Sequence, residues 1–411
     1  MDAPTGIDGG EPMSNVTPIY QRFLVGDDGQ ADAFGTSPIW IDDTGWDEAS
    51  IPRRAWVVLG YLIRGAVTVL SGPGSAGKSQ ITLAWAIALA LGVRFSRFHP
   101  YAPATVVIYN VEDDADEQRR RMSAILRQFR AKPSDIAGRI IRIGPQAVGT
   151  LLRTDTLTKR LTPTAVLNEI ETLLEERKPD VLFLDPMVEL HDAEENDNTA
   201  VRMFMARLRA LAIKYNCAIC LIHHARKGVT GAAGDPDSLR GASAIVGAAR
   251  VVLTLLTMDE EEAKSLGIPT DRRRGYFRLD GAKSNYAPIE EAEWLQRVEY
   301  ELANGERVAA AEPWIPPSVW KDMTPDAIGE TLTKIEAGPA PGILYAPSKR
   351  GAANGRWVGN AIMTVMGLNE NQAGTVVRAW QQSGMLIEVS YRDTAARKDR
   401  VGVSVDRSKQ P

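Results

Sequence analysis

Gly72-Pro73-Gly74-Ser75-Ala76-Gly77-Lys78-Ser79 follows the apolar run Val67-Thr68-Val69-Leu70 and precedes a near-continuous helical pattern from Ile81 to Leu91. Strand, glycine loop and helix in that order give a G-x-x-x-x-G-K-S match the context of a phosphate-binding loop. Gly72, Gly74 and Gly77 let backbone N–H groups turn inward around a phosphate chain. The helix that follows adds its positive N-terminal end. Lys78 reaches the β- and γ-phosphates as a point charge, and the Ser79 hydroxyl is placed to ligate Mg²⁺. ATP and Mg²⁺ are therefore the expected cofactors, with the nucleotide held from Gly72 through Pro73, Gly74, Ser75, Ala76, Gly77, Lys78 and Ser79 to Gln80. A chance glycine turn is the plain alternative, and the strand and helix flanks argue against it.

Outward from the loop, short β-rich runs alternate with amphipathic helices, the pattern of a parallel sheet with crossover helices. Strands are expected at Val67–Leu70, Thr105–Asn110, Arg139–Ile143, Val181–Leu184, Ala218–Ile222 and Arg250–Leu256, and helices include Asp116–Arg130, Pro163–Arg177 and Asn198–Tyr215. After Arg274 the texture changes to antiparallel strands, Tyr276–Ala282 and Trp294–Leu302. Pro-rich Glu312–Pro317 reads as linker. The expected organisation is an acidic flexible lead over 1–45, a core over 46–305, a Pro/Gly-rich linker over 306–345 and a small unit over 346–411. Trp40 and Trp46 are expected to dock on the core.

Val181-Leu182-Phe183-Leu184-Asp185 is an apolar strand ending in a carboxylate, which points an acid into the same crevice as the loop. Asp185 is thus the second metal residue beside Ser79; the structural alternative is a turn cap. The strand Thr105–Asn110 runs into Val111-Glu112-Asp113-Asp114. Placed one strand over from the loop, Glu112 can position the attacking water, while Asp113 and Asp114 read as helix caps.

Cys217-Ala218-Ile219-Cys220-Leu221-Ile222-His223-His224 tempts a zinc reading. In a strand, however, Cys217 and Cys220 face opposite sides, as do His223 and His224, and no second C-x-x-C exists to complete a site. A buried strand whose polar end reaches the crevice fits better, with one imidazole near the γ-phosphate. The Gly- and Ala-rich stretch that follows offers Arg226, Lys227 and Arg240 for phosphate contacts with a nucleic acid; a plain mobile loop is the other reading.

Composition bounds the partners. The chain has 411 residues, 44% hydrophobic, with net charge −4. Two cysteines exclude a disulfide framework and fit a reducing cytosol. No signal-peptide pattern or membrane-length apolar run is visible, so a soluble, cytoplasmic protein is expected. Residues 1–50 hold ten acids against one base, and residues 346–411 hold ten bases against five acids. Any nucleic-acid contact should therefore be local.

At the C-terminal end, Trp357–Met366 and Glu370–Gln382 read as helices, and Met385–Val389 and Val401–Val405 as strands around the basic tip Arg392–Arg400. Helix, turn, helix and basic hairpin resemble a winged helix. Arg378 on its second helix and Arg392, Arg397, Lys398 and Arg400 on the wing are the candidate DNA contacts, with protein docking as the rival reading.

Taken together, these motifs resemble the RecA-like ATPases, specifically plasmid RepA-type hexameric replicative helicases, over roughly residues 51–300. The resemblance rests on the phosphate loop, Val111-Glu112-Asp113, Phe183-Leu184-Asp185, His223-His224-Ala225-Arg226-Lys227-Gly228, Arg240-Gly241-Ala242-Ser243 and Lys283-Ser284-Asn285-Tyr286. It implies an α/β fold: a RecA-like P-loop NTPase core with a mostly parallel sheet and helices on both faces, plus a small C-terminal winged-helix-like domain. It further implies Glu112 as catalytic carboxylate and His224, after His223, as γ-phosphate sensor. Arg250 and Lys283 match basic residues that complete a neighbouring subunit's site, alongside the catalytic Lys78. Implied partners are single-stranded or forked DNA, further copies in a ring (hexamer favoured) and a replication initiator or primase, in a plasmid, phage or integrated element. The position of Asn285 is often Arg in DnaB-like relatives, a departure that sets this sequence nearer the RepA type. An ATP-gated DNA-binding regulator or loader without unwinding activity is the other reading, and a small-molecule kinase lacks a legible acceptor pocket.

Overall fold

The computed structural model describes residues 45–144, 149–155, 157, 161–192, 197–225, 243–288, 292–317, 320, 323–349 and 355–409. In chain order the first elements are β1 (Trp56–Val58), β2 (Leu62–Ile63), β3 (Val67–Gly72), α1 (Lys78–Leu91), β4 (Val106–Asn110), α2 (Ala115–Gln128) and β5 (Ile140–Ile143). A small hairpin, β6 (Leu152–Thr154) and β7 (Leu161–Pro163), precedes α3 (Ala165–Arg177), β8 (Val181–Asp185), α4 (Asn198–Lys214) and β9 (Ala218–His224). Then come α5 (Ser243–Ala248), β10 (Val251–Thr257), α6 (Glu260–Leu266), β11 (Tyr276–Ser284), β12 (Glu293–Glu301) and β13 (Arg307–Pro313). The chain ends with α7 (Pro325–Ala337), α8 (Gly359–Met366), α9 (Glu370–Gln382), β14 (Leu386–Asp393) and β15 (Lys398–Val405).

Nine strands form one sheet in the order β13-β12-β11-β10-β3-β9-β8-β4-β5. The strands from β10 to β5 pair in parallel, as a succession of strand and crossover helix requires. This is the α/β, RecA-like core with a mostly parallel sheet that the motifs imply. Its centre is buried and largely apolar: β3, β4 and β8 are buried along their whole length, and α1 is buried from Ile81 to Ala90. A helix apolar on every side belongs inside a protein rather than on its surface.

The order corrects one expectation. Glu112 does not follow a strand one over from the loop; β9 and β8 lie between β3 and β4. Long-range pairing set this spacing, and no local pattern encodes it.

The molecule divides into two compact units, and the division is not contiguous in sequence. The first holds residues up to Leu256 with Arg278–Glu293 and Arg297–Pro313; the second holds Thr257–Phe277, Trp294–Gln296 and Trp314–Pro411. In the second unit, α7, α8 and α9 bury Ile328, Leu332, Ile335, Val358, Ile362, Val376 and Trp380 together with Leu386 and Val403 of the β14–β15 hairpin. That is a winged-helix-like arrangement. The span 306–345, expected as linker, instead contains β13 and α7. Trp46 does not dock: it is exposed, while Trp40 lies outside the described residues. No helix among the described residues is long and apolar enough to cross a membrane.

Candidate nucleotide site

The loop leaves β3 at Gly72 and enters α1 through Gly77, whose φ of 87° is left-handed and suits glycine. A side chain at Gly72 would run into the Leu255 carbonyl oxygen of β10, so this glycine also serves close strand packing. No side chain caps the first turn of α1, which leaves its N–H groups for an anion. Lys78 is 3% exposed, and its ammonium donates to the carbonyl oxygens of Gly72 and Pro73, each at 2.8 Å. Burial lowers its pKa to about 8, against the raising pull of Asp185 and Glu112. Phosphate oxygens offer this ammonium stronger, charged acceptors than carbonyls.

The parallel register levels the strand ends. Asn110 pairs with Asp185 across β4 and β8, and Gly72 pairs with His224 across β3 and β9. Ligand atoms of Glu112, Asp185 and His224 consequently all lie within 4.8 Å of one another. Asp185 is 2% exposed; burial raises its pKa to about 6, and the Ser79 hydroxyl lowers it in part. Among the described residues its Oδ1 is buried without a hydrogen-bond partner. A buried carboxylate oxygen without a donor, beside a serine hydroxyl and a second acid, suits a hard divalent cation such as Mg²⁺. Ser79 and Asp185 would hold it, and the ion would neutralise charge on the phosphates.

The three consecutive acids separate by geometry. Asp114 caps α2, accepting from the N–H groups of Asp116 and Glu117. Asp113, expected as a second cap, instead pairs with Arg121 at 2.6 Å. Glu112 is left pointing to Asp185 and His224. Of the two histidines, His223 has its Nδ1 3.1 Å from Ser71 Oγ, so His224 is the one brought to the acids. Cys217 and Cys220 are buried free thiols; burial pushes Cys217 up to about 12 and Cys220 higher, so neither offers a thiolate to a metal at neutral pH.

Asn110 went unnoticed in the sequence. Its Oδ1 accepts from the N–H groups of Glu112 at 3.1 Å and Asp113 at 2.9 Å, and its Nδ2 reaches Asp185 Oδ2 at 3.4 Å. Gln118 Nε2 donates to the carbonyls of Asn110 and Asp113, closing the turn from the other side. The available signal was a polar residue ending an apolar strand immediately before an acid.

Arg250 and Lys283 lie at the other end of the sheet. The Arg250 N–H donates to the Val67 carbonyl, at the start of β3, and the Asn285 N–H donates to the Arg250 carbonyl. Gly72 lies five positions further along β3, roughly 16 Å of strand, more than an arginine side chain spans. Arg250 is exposed. Lys283 Nζ donates to the carbonyls of Val246 at 2.7 Å and Ala249 at 2.9 Å, with Gly247 at 3.4 Å.

The candidate DNA contacts fare unequally. Arg226, Lys227 and Arg240 lie outside the described residues. Arg378 lines a groove of about 720 Å³ shared with Glu261, Glu262 and Glu370. On the wing, Arg392 pairs with Asp399 and Arg400 with Asp393, while Arg397 and Lys398 are exposed.

Residues 32–229 match the family model described as an AAA domain. Among solved structures, the chain is similar to the RadB recombinase, at 14% identity and a TM-score of 0.36, over 61% of this chain and 92% of that one. Strand order and phosphate loop agree on the fold: the first unit is an α/β, RecA-like P-loop core, with the AAA-domain match falling within its span and the lead before it.

Proposed function

We propose that this protein is an ATP-hydrolysing, Mg²⁺-dependent oligomeric motor acting on DNA, a replicative helicase of the RepA type from a plasmid, phage or integrated element. The observation that carries the reading is the split between two ends of one sheet. Lys78, Ser79, Glu112, Asp185 and His224 gather at the carboxyl end, whereas Arg250 stands exposed at the amino end, out of reach of its own phosphate loop. A cation that cannot serve its own nucleotide suits that of a neighbouring copy, and a cation so supplied is worth about 10³–10⁵ in the rate of comparable phosphoryl transfers. Glu112 orients water, His224 reads the γ-phosphate, and Arg250 completes the site from the next copy in a ring. A hexamer threaded by single-stranded DNA fits a protein whose overall charge is negative.

Strand displacement on a forked duplex, with Glu112→Gln alongside, tests this. The motor requires DNA-stimulated hydrolysis and unwinding in the wild type, and ATP binding without either in the variant. Slow hydrolysis indifferent to DNA, or a lone subunit by mass with a nonhydrolysable nucleotide and single-stranded DNA, supports the ATP-gated regulator or loader instead.

A further inference from the structure

Arg250 does not stand alone. The Tyr286 ring carries two guanidinium groups, Arg54 at 5.0 Å and Arg250 at 5.7 Å from its centroid. Both arginines are exposed, and neither guanidinium has a carboxylate partner among the described residues. Two like charges on one ring repel, and the ring quadrupole offsets only part of that repulsion. An anion placed beside both guanidiniums would relieve that repulsion.

Lys283 has a different task from the one its motif suggests. Its three donors are engaged by the carbonyls of Val246, Gly247 and Ala249, the peptide that leads directly into Arg250. Burial first, and the Arg250 charge second, hold its pKa below the ordinary lysine value. Lys283 therefore fixes the backbone that presents Arg250, its donors turned to those carbonyls.

We infer that Arg54 is the second phosphate-contacting cation of this edge, clamped with Arg250 on Tyr286 to receive the terminal phosphates of a nucleotide bound by another copy of the chain. Tyr286 and Lys283 are positioning residues. The inference rests on the assembly proposed above and deepens it. A nucleotide's terminal phosphates suit the pair better than a nucleic-acid backbone does, because both guanidiniums lie within 5.7 Å of one ring centroid, whereas phosphodiester charge is spread along a strand.

Subunit mixing tests it. Glu112→Gln keeps the clamp and loses the catalytic acid, while Arg54→Ala keeps the acid and loses half the clamp. Alone, Arg54→Ala should lower kcat at least tenfold with little change in KM. Mixed with an equal amount of Glu112→Gln, it should recover to about a quarter of wild-type turnover, since one head-to-tail interface in four then pairs an intact acid with an intact clamp. Tyr286→Ala should lower kcat likewise, and Tyr286→Phe should restore most of it, which a role for the hydroxyl would not predict. If Arg250→Ala is rescued by mixing but Arg54→Ala turns over like wild type, or is slow and not rescued, the clamp is wrong and the assembly stands. If neither arginine variant is rescued, both fail. If Arg54→Ala weakens single-stranded DNA binding tenfold and leaves DNA-free hydrolysis intact, the ligand is nucleic acid and the inference is overturned.

Discussion

The two ends of the central sheet are built on opposite electrostatic plans. At the carboxyl end, Lys78 is buried against carbonyls and two acids, Asp113 is paired with Arg121, and Asp185 is tied to Asn110 and Ser79. The cations there are answered within the chain, while Glu112 and, among the described residues, the orphaned Asp185 Oδ1 leave acid to spare for a metal ion. At the amino end, Arg54 and Arg250 share a ring without a carboxylate among the described residues. A balanced site can hold its ligand unaided. An unbalanced one makes sense only toward an anion from outside, so the contrast points to function across copies.

The largest effect should come from the balanced end. Glu112→Gln is expected to lower phosphate release about 10³-fold, within the 10²–10⁴ range of a positioned base, while ATP binding measured with a fluorescent analogue survives. Retained hydrolysis would mean that another group orients the water, and His224 would be the next to test.

The amino end contains one acid that does not neutralise the arginines. Glu293 accepts hydrogen bonds from the Tyr61 hydroxyl and the Arg97 N–H, and burial raises its pKa from 4.5 to about 7. The folded state therefore holds a proton that the unfolded state has already released between these values. By linkage, stability falls as pH rises through that window and levels above it, by up to about 3 kcal/mol. Melting temperatures measured from pH 4.5 to 8 should show this decline in the wild type and not in Glu293→Gln. A flat wild-type profile would return Glu293 to its ordinary ionised state and give the amino end a counter-charge.

Glycines in the loop divide the same way between holding the fold and holding a ligand. Gly72→Ala must displace the backbone at Leu255, so a loss of about 1–3 kcal/mol is expected, the range for overpacking. A side chain at Gly74 meets nothing within 4 Å, so Gly74→Ala should melt within a degree or two of wild type and still bind ATP more weakly. Denaturation paired with nucleotide titration separates the two. Equal loss of stability in both variants would erase the distinction.

Much of this was legible locally. The β3–loop–α1 unit, the acid ending β8 and the bounds of α9 at Glu370–Gln382 all follow from apolar period and capping residues. The hidden parts have two causes. The span 306–345 reads as Pro/Gly-rich linker, yet Thr324 caps α7, Pro325 occupies its first turn and Gly338 closes it, so prolines and glycines there punctuate a helix whose Ile328, Leu332 and Ile335 reach the core. Strand order and the meeting of Arg54, Arg250 and Tyr286 are long-range facts, set by which strands pair and invisible to any window of sequence. Lys283 shows the limit of a motif: its position was legible, and its partners were not.

The smallest effects belong to the wing, where the same contrast recurs within one hairpin. Arg392 is answered by Asp399, whereas Arg397, at a φ of 53° in the turn, and Lys398 are exposed. If the wing meets a DNA backbone, replacing Arg397 and Lys398 by Ala should reduce the slope of log affinity against log salt by about 2, with equal loss on every sequence. Asp399→Asn should do the reverse, freeing Arg392 and tightening binding modestly, because an exposed ion pair contributes no more than about 1 kcal/mol. Opposite signs from neighbouring substitutions are difficult to produce by damage to the hairpin, which would weaken binding in both. Should neither change move the salt slope, the hairpin's charge is not spent on phosphate, and the C-terminal unit is a protein-docking module whose bases merely keep it soluble.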